Sequence, residues 1–233
     1  MTLTTTSWKL RGVFAGLATA AALAASASAW AVQPFTADYQ ASYMGMQGNG
    51  RMTLVSSGAD RWTYTLSVTS PLADLKQSTV FETKGDTWRP LSGSDSSKVL
   101  AKRQTKNAVY DWGKGAASWS GDVKPERAGP IKLQAGDLDA LLINLAIVRD
   151  LKAGKPMSYR MVEDGRVKQL TYTVAGKESI TVGGKTQPAT KVISDQGNKQ
   201  TIAWIVDGMP VPARILQRDK GQDAIDLRVL SVR

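Results

Sequence analysis

The chain has 233 residues, and its 30 Lys and Arg against 20 Asp and Glu give a formal net charge of +10. It has no cysteine, which excludes disulfides, thiolate catalysis and zinc–thiolate sites. It has no histidine either. His is the usual general base near neutral pH and the commonest metal ligand, so His-based triads and His metal sites are also excluded.

Residues 1–31 have the features of a cleaved secretory signal peptide. A positively charged start precedes a small and apolar stretch over residues 12–27. Small-x-small cleavage sites end at Ala29 and at Ala31, and we favour Ala31 because a strand pattern begins soon after it. The stretch is too short and too rich in Ala for a membrane span. We expect residues 32–233 to be a single periplasmic domain with no transmembrane segment. Because no Cys is present to carry acyl chains, we do not expect a lipoprotein.

An alternation of apolar and polar residues with period two begins at Phe35 and continues along most of the chain, which predicts β-strands. Its clearest example is the segment 62–68. Turn residues separate the chain into about 11–12 such segments, a spacing typical of an antiparallel sheet. Two stretches break the alternation. Residues 92–97 are interpreted as a polar turn and residues 125–136 as a long loop.

One segment has the pattern of a helix instead. Asp137 is a favourable N-cap, and an apolar run follows from Leu138 to about Leu151. A helix of this length spans about 20 Å, and because it is apolar on nearly all sides, it must be buried. We therefore predict a mainly β fold, in which a strongly curved antiparallel sheet or half-barrel wraps around one buried apolar helix.

Three patterns that carry chemistry in other proteins are incomplete here. The glycines at 183–184 lack the upstream glycine of a phosphate-binding loop. Lys98 has Asp95, not serine, three positions before it, so no Ser-x-x-Lys site is present. The acidic residues at 137–139 and 163–164 are explained by helix capping and by turns. We expect no enzyme, no catalytic residue, no metal site and no cofactor.

Aromatic, leucine and methionine side chains are the remaining candidates for a site. They either fill the core or line an apolar cavity between sheet and helix, and a wide curved sheet with one helix favours the cavity. The predicted cavity-lining residues are Trp62, Tyr64, Leu141, Leu145, Tyr159, Met161, Tyr172 and Trp204.

The function expected from this architecture is the non-catalytic binding or carriage of a lipid-like envelope ligand. The alternative is a structural or assembly partner in the envelope that acts through protein contacts. No stacking platform or basic run favours nucleic acid.

Short segments along the chain also carry a resemblance to a known family. They are residues 34–39, 48–50, 110–112, 137–151 and 201–215. In these segments the chain resembles the DUF3108 family of exported proteobacterial proteins, and no activity follows from that resemblance. The ending with Trp204, Asp207, Pro212 and Arg214 is similar to the closing hairpin of LolA/LolB-like lipoprotein carriers. That similarity implies a curved antiparallel half-barrel that holds acyl chains around short helices.

Overall fold

The computed structural model describes residues 32–43 and 45–233, so the predicted signal peptide lies outside the described residues. Within them the chain forms fifteen strands, one α-helix and a short 3-10 helix at Pro125–Arg127. The strands and the α-helix are β1 (Phe35–Tyr43), β2 (Met46–Ser56), β3 (Arg61–Thr69), β4 (Ala73–Lys84), β5 (Thr87–Val99), β6 (Lys102–Asp111), β7 (Ala116–Gly121), β8 (Ile131–Lys132), α1 (Ala140–Lys152), β9 (Ser158–Glu163), β10 (Arg166–Thr171), β11 (Thr173–Val182), β12 (Lys185–Gln196), β13 (Lys199–Val206), β14 (Arg214–Asp219) and β15 (Gln222–Val232).

Thirteen of these strands form one large antiparallel sheet that is not closed, in the order β11-β12-β13-β14-β15-β1-β2-β3-β4-β5-β6-β7-β8. β9 and β10 form a separate hairpin. Nearly every neighbour in the large sheet is also a neighbour in sequence, and β1 joins the two halves by pairing with both β2 and β15. The predictions of a mainly β chain and of a large antiparallel sheet are therefore confirmed.

Strand β1 shows how the sequence pattern sets the faces of the sheet. Phe35, Ala37, Tyr39 and Ala41 are buried, whereas the polar residues between them are partly or fully exposed. Successive side chains of a strand point to opposite faces, so a period of two places one set in the core.

Helix α1 begins two residues later than expected. Its N-cap is Asp139, whose Oδ1 accepts a hydrogen bond from the Leu142 backbone N–H at 2.8 Å. The expected cap, Asp137, was wrong. The reason is that Leu138 forms a bridge with Met161 of β9, and its backbone N–H and C=O are bonded to Arg160 and Val162. Residue 138 is therefore extended and not helical.

Seven apolar residues of α1 between Leu141 and Val148 are buried. They belong to one hydrophobic cluster with side chains from β1–β5, β9 and β12–β15. The helix therefore packs against residues drawn from most of the large sheet. Within residues 32–43 and 45–233, no helix is long and apolar enough to cross a membrane.

The described residues form fifteen strands where 11–12 were expected, and strands also extend into segments for which none was expected. Residues 92–97 are not a turn but the middle of β5, and residues 102–107 form the first part of β6. Residues 131–132 form β8 inside the expected loop. These segments lack an apolar face, so periodicity could not reveal them, and backbone pairing with neighbouring strands holds them in place.

Candidate functional site

A groove of about 790 Å³ lies beside α1, and we call it the helix groove. It is the largest of the described spaces that touches the helix, and its volume is within the range of small-molecule sites. Its apolar lining includes Leu54, Trp88, Leu145, Val148, Ile205 and Met209, and its basic lining consists of Arg149, Lys152 and Lys177.

The helix supplies one continuous face of this groove. Leu145, Val148, Arg149 and Lys152 are three or four residues apart, so they lie on the same side of α1. The first two are apolar and the last two are basic, at the C-terminal end of the helix. The groove therefore has an apolar floor next to a positively charged end.

The position of Arg149 in this groove is fixed by its neighbours. Its Nε and Nη2 donate to the two carboxylate oxygens of Asp150 at 2.7 and 2.9 Å, and its guanidinium lies 4.3 Å from the centre of the Trp88 ring. Tyr159 donates its hydroxyl to Asp150 at 2.9 Å, and burial raises the pKa of Tyr159 well above its usual value. A planar cation is thus held over an aromatic ring in the lining of the groove.

A second space, the strand pocket, has a volume of about 300 Å³ and is lined by strand residues without a contribution from α1. Its apolar side chains are Leu66, Val68, Leu75, Ile225 and Leu227, and its polar side chains include Lys76, Gln104 and Lys106. The lining comes from β15, β1, β3, β4, β5 and β6.

Three carboxylates, Asp95, Asp139 and Glu163, line a much smaller space, and we call them the acidic cluster. Thr79 donates its hydroxyl to Asp139, and Gln77 donates its side-chain N–H to Glu163 at 2.9 Å. The cluster therefore joins β4, β5, the cap of α1 and the end of β9.

Burial controls the protonation of the acidic cluster. It raises the pKa of Glu163 to about 8, and the charges of Asp139 and Asp95 act in the same direction. It also raises the pKa of Asp139 to about 6, although hydrogen bonds from Thr79 and Leu142 oppose the shift, and it raises the pKa of Asp95. Burial also tends to raise the pKa of neighbouring Asp164. Hydrogen bonds from Lys106 and Arg127 outweigh this effect, so the pKa of that carboxyl lies below its usual range.

Most of the eight residues predicted to line a cavity lie in the cluster around α1. Tyr64, Leu141, Leu145, Tyr159 and Tyr172 are buried in it. Trp62 and Met161 are partly buried against it. Of the eight, Leu145 alone lines the helix groove.

Trp204 does not join the others, which corrects its grouping with them. Ala203 and Ile205 of β13 belong to the cluster around α1, so the alternate residues Ile202, Trp204 and Val206 face the other side of the sheet and form a separate cluster. There the Trp204 indole N–H donates to Glu178 at 2.7 Å.

Sequence reasoning missed Trp88 and Arg149 of the helix groove and the whole acidic cluster. The sequence did contain a signal for Arg149. The apolar helix ends in Arg149 and Lys152, which lie one turn after Leu145 and Val148 and therefore on the same side of the helix. The acidic cluster left no such signal, since Asp95 and Asp139 are 44 positions apart and Asp139 and Glu163 are 24 positions apart in the chain. Within the described residues, no group of three or more acidic side chains is arranged to hold a metal ion.

The fold and these sites define a mainly β protein with one large open antiparallel sheet and an apolar groove beside its helix. The family model DUF3108, described as a protein of unknown function, matches residues 35–228, and the chain belongs to this family. A search of curated proteins found no significant match.

Two solved structures are similar to the chain at low identity. A β-barrel-like protein of the DUF1849 family from Brucella abortus has 16% identity and a TM-score of 0.49, covering 86% of this chain and 97% of its own. MucB has 10% identity and a TM-score of 0.35, covering 86% of this chain and 52% of its own. With TM-scores below 0.5, these similarities do not define the fold more closely.

Proposed function

We propose that residues 32–233 form a single periplasmic domain, exported after removal of residues 1–31, that binds or carries a lipid-like ligand in the helix groove without catalysing a reaction. The observation that carries the proposal is the groove itself, which combines an apolar floor with three basic residues in its lining. An acyl chain fits the floor, and an anionic head group fits the basic end.

The proposal includes a sheet that curves around α1 as a half-barrel. Ile205 of β13 and Trp88 of β5 both line the helix groove, yet seven strand-to-strand steps separate β13 from β5 in the sheet. In a flat sheet seven steps would place these strands roughly 34 Å apart. A shared groove of this volume therefore supports strong curvature, with the helix on the concave side.

The basic end of the groove sets the expected ligand class. Arg149 is held by Asp150 and Trp88, so its charge is partly neutralised before any ligand binds. Lys177 of β11 is exposed and forms no ion pair within the described residues. A single-chain or two-chain amphiphile with a carboxylate or phosphate head satisfies both the apolar and the charged lining.

Replacing Met209 with Trp is expected to lower the affinity for an apolar probe by about tenfold or more, because the larger ring occupies apolar space that the probe would otherwise fill. Met209 lines the groove and is only partly buried against the core, so the larger ring has groove space to enter. The measurement is a fluorescence titration with dansylundecanoic acid.

The matched control is Val167→Trp, which adds the same ring to exposed strand β10 outside the groove. It should bind the probe as the wild type does. If the wild type takes up no probe, or if Met209→Trp binds it with unchanged affinity, ligand binding in the helix groove is wrong.

The alternative function, an envelope assembly partner, is favoured by one observation. Strand β11 is ten residues long, is mostly exposed and pairs only with β12 within the described residues. An open strand edge of this kind is a template for pairing with another chain. Photo-crosslinking from an exposed β11 residue such as Val174 would trap one protein partner if this function holds.

A further inference from the structure

Two neighbouring turns expose large apolar side chains at one edge of the molecule. Leu72, in the turn between β3 and β4, is 49% exposed, whereas Val99 and Leu100, at the turn between β5 and β6, are 37% and 66% exposed. The Leu100 backbone N–H donates to the Leu72 carbonyl oxygen at 2.8 Å, so the two turns are fixed side by side. We call Leu72, Val99 and Leu100 the docking tip.

The backbone of this tip is unfavourable for the residue it carries. Leu100 has φ +55°, a left-handed conformation that leucine rarely adopts. The other fully described two-residue strand turns each contain glycine, at 85–86, 164–165, 183–184, 197–198 and 220–221. Asp164 and Lys220 adopt a similar φ of +50° in two of those turns, each directly before the glycine. Leu100 differs from them because it is apolar and exposed and is followed by Ala101, and backbone strain of this kind tends to occur at functional positions.

Basic residues surround the docking tip. Lys76, Lys98, Lys102 and Arg103 are exposed, and none of the four forms an ion pair within residues 32–43 and 45–233. In the segments 69–76 and 97–106 the one acidic residue is Asp74, which lies opposite Lys98 in the register of β4 and β5 and forms no ion pair with it. The exposed leucines are therefore flanked by cations that have no internal partner.

We propose that the docking tip binds the surface of an anionic lipid bilayer. The three apolar side chains would enter the boundary between head groups and acyl chains, and the four cations would contact anionic head groups, which is the combination that holds peripheral proteins on membranes. A small apolar tip ringed by unpaired charge matches this surface better than an apolar protein interface, which is depleted of lysine.

The strand pocket lies next to this surface. Leu75, Lys76 and Ser97 line the pocket and follow or precede the tip residues by a few positions on β4 and β5. Docking would thus bring the pocket close to the bilayer. The interaction does not depend on the helix groove, and it stands or fails separately from the proposed function.

The test is flotation of the mature chain with vesicles of phosphatidylcholine alone or mixed with phosphatidylglycerol. The wild type should float with the anionic vesicles, less so as salt is added. Leu100→Gly should lower the partition coefficient by about tenfold because it removes the most exposed apolar side chain. Lys98→Gln and Arg103→Gln should lower it by roughly fivefold each.

Leu100→Gly keeps the fold intact because glycine fits the left-handed turn better than leucine does, and thermal unfolding should show an unchanged or higher midpoint. Val174→Thr is the matched control, since Val174 is 56% exposed on β11, seven or more strand-to-strand steps from β3–β6 in the sheet. It should float like the wild type.

A second readout uses the absence of cysteine from the chain, which allows a single dye to be attached at one engineered site. A polarity-sensitive fluorophore on Leu100→Cys should shift to the blue with anionic vesicles, and the same dye on Val174→Cys should not. Equal flotation with neutral and anionic vesicles, equal flotation of Leu100→Gly and wild type, or equal dye shifts at both sites would each overturn the proposal.

Discussion

Arg160→Ala is expected to lower the free energy of unfolding by about 3–5 kcal/mol, the usual cost of leaving one charge of a buried pair without its partner. Asp137 is 0% exposed. Its Oδ2 accepts hydrogen bonds from the Arg160 guanidinium and from the Gln134 backbone N–H, whereas its Oδ1 has no hydrogen-bond partner within the described residues. Without Arg160 the carboxylate stays buried with its charge uncompensated. Urea denaturation measures the change.

The double variant Asp137→Asn/Arg160→Ala separates the lost charge pair from the lost packing of Arg160. It removes both charges and keeps the acceptor for Gln134, so it should recover most of the stability. A cost of Arg160→Ala no larger than that of a typical surface substitution, about 0.5 kcal/mol, would contradict this explanation. The ion pair also helps to position the helix that lines the groove, because it connects the segment just before α1 to β9.

The stability of the protein should fall as the pH rises between about 4.5 and 8, and Glu163 should cause most of the change. Its pKa is raised from 4.5 to about 8 by burial and by the neighbouring carboxylates. Between these values the folded state holds a proton that the unfolded state has released. The contribution of Glu163 is therefore fully present below pH 4.5 and is lost as the pH rises through about 8. Asp139, with its pKa raised to about 6, acts in the same sense at lower pH.

Glu163→Gln should make the protein more stable than the wild type at pH 8 by about 1–3 kcal/mol, because the amide keeps an acceptor for Gln77 and carries no charge to bury. It should also flatten the pH dependence measured by urea denaturation at several pH values. Glu126→Gln, in the exposed 3-10 helix, is the control and should leave the slope unchanged. A wild-type stability that rises steadily from pH 4.5 to 8 would show that the acidic cluster is not buried as described.

The parts of the fold that could be predicted from sequence are those in which one face is apolar. β1 and β3 alternate clearly, and the apolar run of α1 could only be a buried helix, so the helix was predicted to within two residues at its start. The polar half of the β5–β6 hairpin could not be found in this way. Its residues carry no periodic signal, and the pairing of β5 with β4 and of β6 with β5 decides their conformation.

The candidate site was less accessible to prediction for a topological reason. The alternation of β13 decides that Ile205 packs into the cluster around α1 and that Trp204 packs into the cluster on the other side of the sheet. Which set faces the helix depends on the strand register, and the sequence alone does not reveal that register. The acidic cluster is assembled from Asp95, Asp139 and Glu163 only when β5, β9 and the start of α1 come together. Each carboxylate alone has the pattern of an ordinary cap, turn or strand residue.

Native mass spectrometry of the mature chain, purified without detergent from the periplasm of the cells that make it, tests ligand binding most directly. The account predicts a population heavier than the bare polypeptide by the mass of a lipid, and the loss of that population in Met209→Trp but not in Val167→Trp. A wild-type spectrum with the polypeptide mass alone, unchanged after incubation with phospholipid vesicles, would contradict it.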